Sequence, residues 1–221
     1  MEEWDNYWGE KNQIHSHIYD RVAVFYRERI IKPYLKKYIR KYFSGSVIIL
    51  HAGCGGGQVE GDAAVSASTV GLDISANALT LYRQCHSDSS LILGDITSIA
   101  IKPDSIDGIY NLGVMEHFSD NEIQKILMEF HRVLRKDGVV ILFWPPRYGL
   151  TVIVLKGIHF LLNSVLKKNI YLHPAEPSLI MSEEWVKRTV EDAGFGVQEI
   201  NFGPADFFTY MVVVIKKNES V

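Results

Sequence analysis

The stretch that most constrains this chain runs from Val47 to Gln58, where a short apolar run meets a glycine-rich loop. Residues 47–50 are four consecutive apolar side chains, a pattern typical of a buried parallel strand. The Gly-Cys-Gly-Gly-Gly run at 53–57 cannot continue a helix, and it lets a ligand approach the backbone closely. We therefore predict a strand, a glycine loop and a helix starting near Gln58, with N–H groups and a positive helix end facing a polar or anionic ligand.

The spacing of the glycines distinguishes between two kinds of nucleotide site. A dinucleotide fingerprint has glycine at the first, third and sixth loop positions, whereas here Gly53 and Gly55 are followed by Gln58 at the sixth. This weighs against a nicotinamide-dependent oxidoreductase. A second short strand ends at Asp73, where an acid can accept hydrogen bonds from two ribose hydroxyls. The two features together predict a nucleoside ligand.

Further along the chain, predicted strands alternate with predicted helices. Helix starts are indicated by Ser75, by a capping box at 119–122 and by Ser182. The predicted strands after Asp73 span residues 90–94, 106–112, 139–144, 197–202 and 207–215. Such alternation predicts an α/β fold whose parallel sheet is covered on both faces, with ligands at the carboxyl ends of the strands.

Composition excludes several classes of protein. The 221 residues fit one domain, and a net charge of −3 gives no bulk attraction to nucleic acid. The two cysteines, Cys54 and Cys85, do not make a disulfide framework, and the acidic start of the chain does not resemble a signal peptide. We expect a cytoplasmic protein. The histidines show no metal-ligand spacing, so no metal site is predicted.

Four stretches resemble motifs of the class I S-adenosylmethionine-dependent methyltransferases, in particular the small-molecule, type 11-like branch. Residues 50–57 are similar to the first motif and residues 70–75 to the second. Residues 91–96 resemble the segment whose acid meets the adenine amino group, and residues 107–118 resemble the fourth strand and its loop. The resemblance implies a three-layer sandwich with a mostly parallel, seven-stranded Rossmann-like sheet whose last strand is antiparallel.

The resemblance also implies a cofactor, S-adenosyl-L-methionine, with S-adenosyl-L-homocysteine as product, and a set of residues that bind it. The expected residues are Gly53, Cys54, Gly55 and Gly57 along the methionine part, Asp73 and Ile74 at the ribose, Asp95 and Ile96 at the adenine, and Asn111, Leu112, Gly113 and His117 towards the sulfonium. His51 stands where the family usually has an acid that supports this loop. That departure motivates an alternative, a protein that binds the cofactor or its product without turnover.

His117 is the candidate general base, because an imidazole titrates near neutral pH and this residue follows the fourth strand beside the expected methyl group. The alternative is that His117 packs on the cofactor or caps the next helix. Glu116 could orient a neighbouring group, and Tyr148 and His173 are further candidates from the variable region.

Three segments are expected to make up the domain. Residues 1–43 form an N-terminal helical cap that Pro33 interrupts, residues 44–146 and 182–221 form the cofactor-binding domain, and residues 147–181 form an inserted helical lid. The aromatic side chains near the start, Trp4, Tyr7 and Trp8, either cap the cleft or are exposed packing residues. The apolar run at 150–162 is too short and interrupted for a membrane span of ~20 residues.

We therefore expect a methyltransferase that modifies oxygen, nitrogen or carbon of a small, partly apolar acceptor. Base-methylating enzymes carry Asn/Asp-Pro-Pro-aromatic after the fourth strand, and residues 111–114 here read Asn-Leu-Gly-Val, which argues against nucleic acid. A lipid-like acceptor at a membrane surface remains an alternative, because it would explain the apolar lid and the basic face of the helix near residue 40 together.

Overall fold

The computed structural model describes residues 2–11, 24–45, 48–59, 68–159 and 176–218. Its helices are α1 (Glu2–Lys11), α2 (Lys32–Tyr42), α3 (Ala76–Cys85), α4 (Asp120–Val133), α5 (Leu150–His159) and α6 (Glu183–Glu191). Its strands are β1 (Ile48–Ala52), β2 (Ser68–Asp73), β3 (Ser90–Leu93), β4 (Ile106–Leu112), β5 (Leu134–Trp144), β6 (Phe195–Asn201) and β7 (Met211–Lys217). Short turns of other helix types lie at Arg27–Ile31, Met115–His117 and Pro204–Asp206.

The seven strands form one sheet in the order β3-β2-β1-β4-β5-β7-β6. Strands β1 to β5 run parallel to their neighbours, whereas β7 pairs antiparallel with both β5 and β6. The strand order reverses at β1, whose neighbours are β2 and β4. In an open α/β sheet, the crevice for a ligand lies at such a reversal. The predicted fold, with its antiparallel last strand, is confirmed.

The core has two parts because alternate residues of the central strands point to opposite faces of the sheet. On one face, Ile109 and Leu142 pack with the apolar stripe of α4 and with α6. On the other face, Tyr110 and Phe143 pack with α2. These layers bury most of β4 and residues 140–144 of β5, so the carboxyl ends of these strands rest on a packed core.

Helix starts and stops follow local chemistry. The side chain of Ser75 accepts a hydrogen bond from Ala78 N, 3.1 Å away, and thereby caps α3. Ser119 and Glu122 form a reciprocal capping box at α4, as predicted. Ser182 accepts from Trp185 N, 3.1 Å away, at the start of α6, and Gly194 follows the end of that helix with φ of +84°.

Some predicted boundaries differ from those observed. Pro33 does not end the helical run, which continues from residue 24 to 42 with the π-helical turn Arg27–Ile31 shortly before the proline. Strand β5 begins at Leu134 instead of 139, since Leu134 is buried and pairs with Ile106 across a bulge. Asp137 adopts a positive φ of 64° within that irregular segment.

The hairpin strands are also displaced from their predicted positions. Strand β6 begins at Phe195, two residues before the predicted start, because Phe195 is fully buried. Strand β7 begins at Met211, after a turn in which Phe207 and Phe208 both have positive φ. The helix expected after Gln58, residues 12–23 of the predicted cap and residues 160–175 of the predicted lid lie outside the described residues. Within the described ranges, no helix is long and apolar enough to cross a membrane.

Candidate active site

A cavity of about 450 Å³ opens at the carboxyl ends of β1, β2 and β4, at the reversal in strand order. Its walls come from α1, the glycine loop after β1, the ends of β2 and β4, the start of α5 and the loop before β7. A cavity of this size is in the range that holds a small-molecule ligand. One end is formed around the glycine loop and the other around Glu116 and Tyr210.

The glycine loop passes close to neighbouring side chains. Gly53 N and Cys54 N both donate to Leu72 O, at 2.8 and 3.0 Å, which ties the loop to β2. Gly55 has φ of +51°, and a Cβ placed there would lie 2.7 Å from the ring of Trp8. Only glycine fits this position without moving Trp8, so the loop and α1 are matched in shape.

Asp73 ends β2 with its carboxylate buried beside this loop. It accepts hydrogen bonds from Gly55 N at 2.8 Å and from Ser75 N at 2.9 Å. Burial raises the pKa of the Asp73 carboxyl, while these backbone N–H groups and the nearby His51 act in the opposite direction. A buried carboxylate held in this way is fixed in orientation and can accept bonds from hydroxyl groups of a ligand.

His51, at the end of β1, also lines the cavity. Its ring stacks on Tyr110 with centroids 4.3 Å apart and an interplanar angle of 16°. The side chain is buried, and its ring packs against the ring of Tyr110. His51 therefore supports the floor of the cavity by packing.

Helix α1 forms a roof over this end of the cavity. Asp5 Oδ1 accepts from Ser75 Oγ at 2.7 Å and from Asn77 N at 3.1 Å, and Asn77 Nδ2 donates to Asp5 O at 3.0 Å. These bonds attach α1 to the N-terminus of α3, where a carboxylate is favoured by the helix dipole. They also hold the pKa of the Asp5 carboxyl below its usual value.

The aromatic side chains of α1 complete the roof. Trp4, Tyr7 and Trp8 all line the cavity. The Trp4 ring meets the His117 ring edge-on, with centroids 4.9 Å apart. These aromatic side chains therefore cap the cleft and are not exposed packing residues, which was the alternative that the sequence left open.

Glu116 and Tyr210 meet at the opposite end of the cavity, beside Gly113. A Cβ on Gly113 would lie 3.2 Å from Tyr210 Oη and 3.3 Å from Glu116 Oε1. Glu116 is 4% exposed, and its Oε2 has no hydrogen-bond partner among the described residues. Burial raises the pKa of the Glu116 carboxyl to about 8; its own backbone N–H opposes this, and the charge of Glu176 adds to it. Burial likewise raises the pKa of the Tyr210 hydroxyl.

A chain of hydroxyl groups lines the same end. The Tyr26 and Thr209 hydroxyl oxygens are 2.5 Å apart, and those of Thr209 and Thr151 are 2.7 Å apart. Tyr26 also donates to the carbonyl oxygen of Asp206 at 2.6 Å. The apolar side chains of Ile31 and Val152 lie in the same wall. This end can therefore hold a ligand with an apolar body and one or more polar groups.

The residues predicted to bind the cofactor come together around this one cavity. All of them line it except Asn111. Asn111 is fully buried in β4, and neither atom of its amide has a partner in the part of the chain that the structure describes. Of the weaker candidates, Tyr148 is 43% exposed and packs on Phe202 outside the cavity, and His173 is outside the described residues.

Sequence reasoning missed the residues of the hydroxyl-lined end. Tyr26 and Thr209 lie more than 180 positions apart, and Thr151 lies between them in a stretch interpreted only as an apolar lid. No local motif marks them, because only the folding of α5 and the β6–β7 loop onto the sheet brings them together. Among the described residues, no cluster of histidine, cysteine or acidic side chains has the arrangement of a metal site.

Comparison with known proteins agrees with this geometry. Residues 50–142 match the sequence profile of a family described as a methyltransferase domain. No curated protein matches the chain. The matched residues run from β1 to β5 and include the glycine loop, Asp73 and Glu116.

Several solved structures with the same fold are methyltransferases. One from Thermotoga maritima has a TM-score of 0.64 and 16% identity, covering 91% of this chain and 96% of its own. The magnesium protoporphyrin IX methyltransferase of Synechocystis, with S-adenosylhomocysteine bound, has a TM-score of 0.62 and 16% identity over 85% of this chain and 83% of its own. A 1,6-didemethyltoxoflavin-N1-methyltransferase of Burkholderia thailandensis, with its substrate and S-adenosylhomocysteine bound, has a TM-score of 0.63 and 13% identity over 93% and 92%.

This chain has the fold of the class I S-adenosylmethionine-dependent methyltransferases, and residues 50–142 match a methyltransferase domain. The resemblance identified from the four sequence motifs is thereby confirmed. The acceptors named for these structures differ from one another, and at 12–16% identity the likeness extends to the fold alone.

Proposed function

We propose that this protein binds S-adenosyl-L-methionine in the cavity and transfers its methyl group to a small, partly apolar acceptor. The observation that carries the proposal is the convergence of the glycine loop, Asp73 and the Gly113 turn on a single cavity at the strand-order reversal. The cofactor supplies an electrophilic methyl group and its own leaving group, so the protein's task is to bind, orient and exclude water.

The residues present fit that cofactor. The absence of a Cβ at Gly55 lets the Trp8 ring close over the loop, and Asp73 offers a buried carboxylate for ribose hydroxyls. Asp95 and Ile96 line the cavity near Ile74 and would hold the adenine. The roof of α1, with Trp4 and Trp8, and the wall containing Ile31 and Val152 would exclude water from the reacting atoms.

The acceptor would occupy the hydroxyl-lined end of the cavity. Ile31, Leu112 and Val152 provide apolar contact there, and Tyr26 and Thr209 provide hydrogen bonds. His117 lines the cavity against the Trp4 ring of the roof and is retained as a residue that contacts the cofactor or the acceptor. Residues 1–43 as a cap, 147–181 as a lid and the remainder as the cofactor-binding domain are proposed as the division of the chain.

Calorimetric titration with S-adenosylmethionine, S-adenosylhomocysteine and NADH tests the cofactor. Micromolar binding of the first two is expected, and Asp73→Asn should weaken it at least tenfold because an amide cannot replace the carboxylate at two ribose hydroxyls. Asp88→Asn, at an exposed site on the loop after α3, is the matched control. Binding of NADH alone would contradict the proposal.

Turnover is tested by incubating the protein with labelled S-adenosylmethionine and a metabolite extract. Label should appear in a small molecule. Cofactor binding without any transfer would favour the alternative of a non-catalytic binding protein. In that case His51→Asp should alter the affinity and create no activity.

A further inference from the structure

We propose that Glu116 is the general base of this site and that the acceptor is therefore an O–H or N–H group that must lose a proton as it is methylated. The proposal rests on the proposed function and adds to it the chemical class of the acceptor. It starts from geometry: Glu116 lines the cavity beside Gly113, the turn that follows β4. The sequence resemblance puts this turn near the sulfonium.

Glu116 lines the cavity and is 4% exposed, and the described residues do not satisfy its whole carboxyl group. Its Oε2 is buried and has no hydrogen-bond partner within the described ranges. A buried, unpartnered polar oxygen is destabilising, so its retention in a ligand cavity indicates a partner that arrives with the ligand. Tyr210 Oη lies beside the same glycine and could donate a hydrogen bond to the acceptor's reacting atom.

The chemistry balances with the groups present. The acceptor's lone pair forms the bond to the methyl carbon, and the electrons of the carbon–sulfur bond stay on sulfur. The proton of the acceptor's O–H or N–H passes to the Glu116 carboxylate. The acceptor leaves methylated, the cofactor becomes the neutral thioether, and Glu116 later returns its proton to water.

Several charged and titratable groups surround Glu116. Glu176 disfavours its ionised form. The groups that interact electrostatically with Tyr210, besides Glu116 itself, are Arg27, Tyr26 and Asp206. Because Glu116 is largely protonated near neutral pH in this setting, it needs a nearby cation to act as a base. A sulfonium beside it would supply that charge, and an adjacent opposite charge typically lowers a carboxyl pKa by about 1–3 units.

Proton release on ligand binding tests this coupling without knowledge of the acceptor. Calorimetric titrations in buffers of different ionisation enthalpy give the number of protons released at neutral pH. In the wild-type protein, binding of S-adenosylmethionine should release roughly 0.4–0.9 more protons than binding of S-adenosylhomocysteine, once the same difference measured for Glu116→Gln has been subtracted. The ligands' own amino groups titrate in both proteins and cancel in this comparison. Glu191→Gln, at an exposed site on α6, should behave as wild type.

The results separate this inference from the function beneath it. If neither ligand binds, the proposed function fails. If both bind and the proton difference is the same in Glu116→Gln, the role of Glu116 is overturned. In the labelled-extract assay, Glu116→Gln should slow methyl transfer about 10²- to 10⁴-fold with an unchanged affinity for S-adenosylhomocysteine, and Glu116→Asp should restore part of the rate. A wild-type rate of methyl transfer in Glu116→Gln would assign the proton to another group. So would a pH dependence of the transfer rate that is lost in His117→Asn and kept in Glu116→Gln.

Discussion

Replacing Glu116 by glutamine should flatten the pH dependence of the protein's stability. The carboxyl is fully buried, and its pKa rises from 4.5 to about 8 on folding. The folded state therefore binds this proton more tightly than the unfolded state. The stabilisation is complete at low pH and is lost as the pH rises from the unfolded pKa through the folded one.

The magnitude follows from the size of the shift. One pKa unit corresponds to about 1.4 kcal/mol, so a shift from 4.5 to about 8 sets an upper bound of about 5 kcal/mol. Water that reaches Glu116 through the cavity makes the actual contribution smaller than this bound. Between about pH 5 and pH 9, we expect the free energy of unfolding of the wild-type protein to fall by roughly 2–4 kcal/mol relative to that of Glu116→Gln.

Urea unfolding of both proteins across this range measures the difference directly, because all other titrating groups are common to the two chains. The variant should be the more stable protein at the alkaline end. Parallel curves for wild type and Glu116→Gln would refute the reasoning, since they would mean that the carboxyl ionises in the folded protein as it does in water.

Two other substitutions test the packing around the site. Trp8→Ala should weaken the binding of S-adenosylmethionine about tenfold in calorimetry, because it removes the ring that covers Gly55. Met128→Ala, at an exposed site on α4, is the control and should not change binding. Equal affinities of the two variants would argue that the Trp8 ring does not cover the ligand. Gly108→Ala should lower the free energy of unfolding by about 1–3 kcal/mol, because the new Cβ would lie 2.6 Å from the Phe43 ring. In urea unfolding, adding Phe43→Leu to this variant should recover part of the loss. No recovery would mean that the contact with Phe43 is not the cause of the destabilisation.

Local sequence signals were sufficient for one half of the site. Strand β4 has the predicted bounds, Ile106–Leu112, because a proline-containing turn precedes it and a glycine turn follows. The serine caps at Ser75 and Ser119 form as expected, since a cap depends only on the few residues around it. The glycine loop and Asp73 are close in the chain and are placed by adjacent parallel strands.

The other half depends on contacts that no short stretch encodes. Tyr26 and Thr209 come together only after α5 and the hairpin dock on the sheet. Glu116 was visible in the sequence, but its burial was not, because a carboxylate next to His117 after a strand is usually solvated. Strand β5 was predicted too short because the lysine-aspartate-glycine run at 136–138 is typical of a turn, whereas here it forms part of a bulged strand.

The attachment of α1 through Asp5 and its aromatic side chains has a kinetic consequence. Asp5 meets Ser75 and Asn77, while the floor of the cavity belongs to the central strands. The sheet can therefore stay intact while α1 lifts, since only a few hydrogen bonds and ring contacts must break. On this side of the cavity, the residence time of a bound molecule is set by how often α1 detaches. Two proteins with identical glycine loops but different attachments of this helix could therefore exchange the same ligand at very different rates.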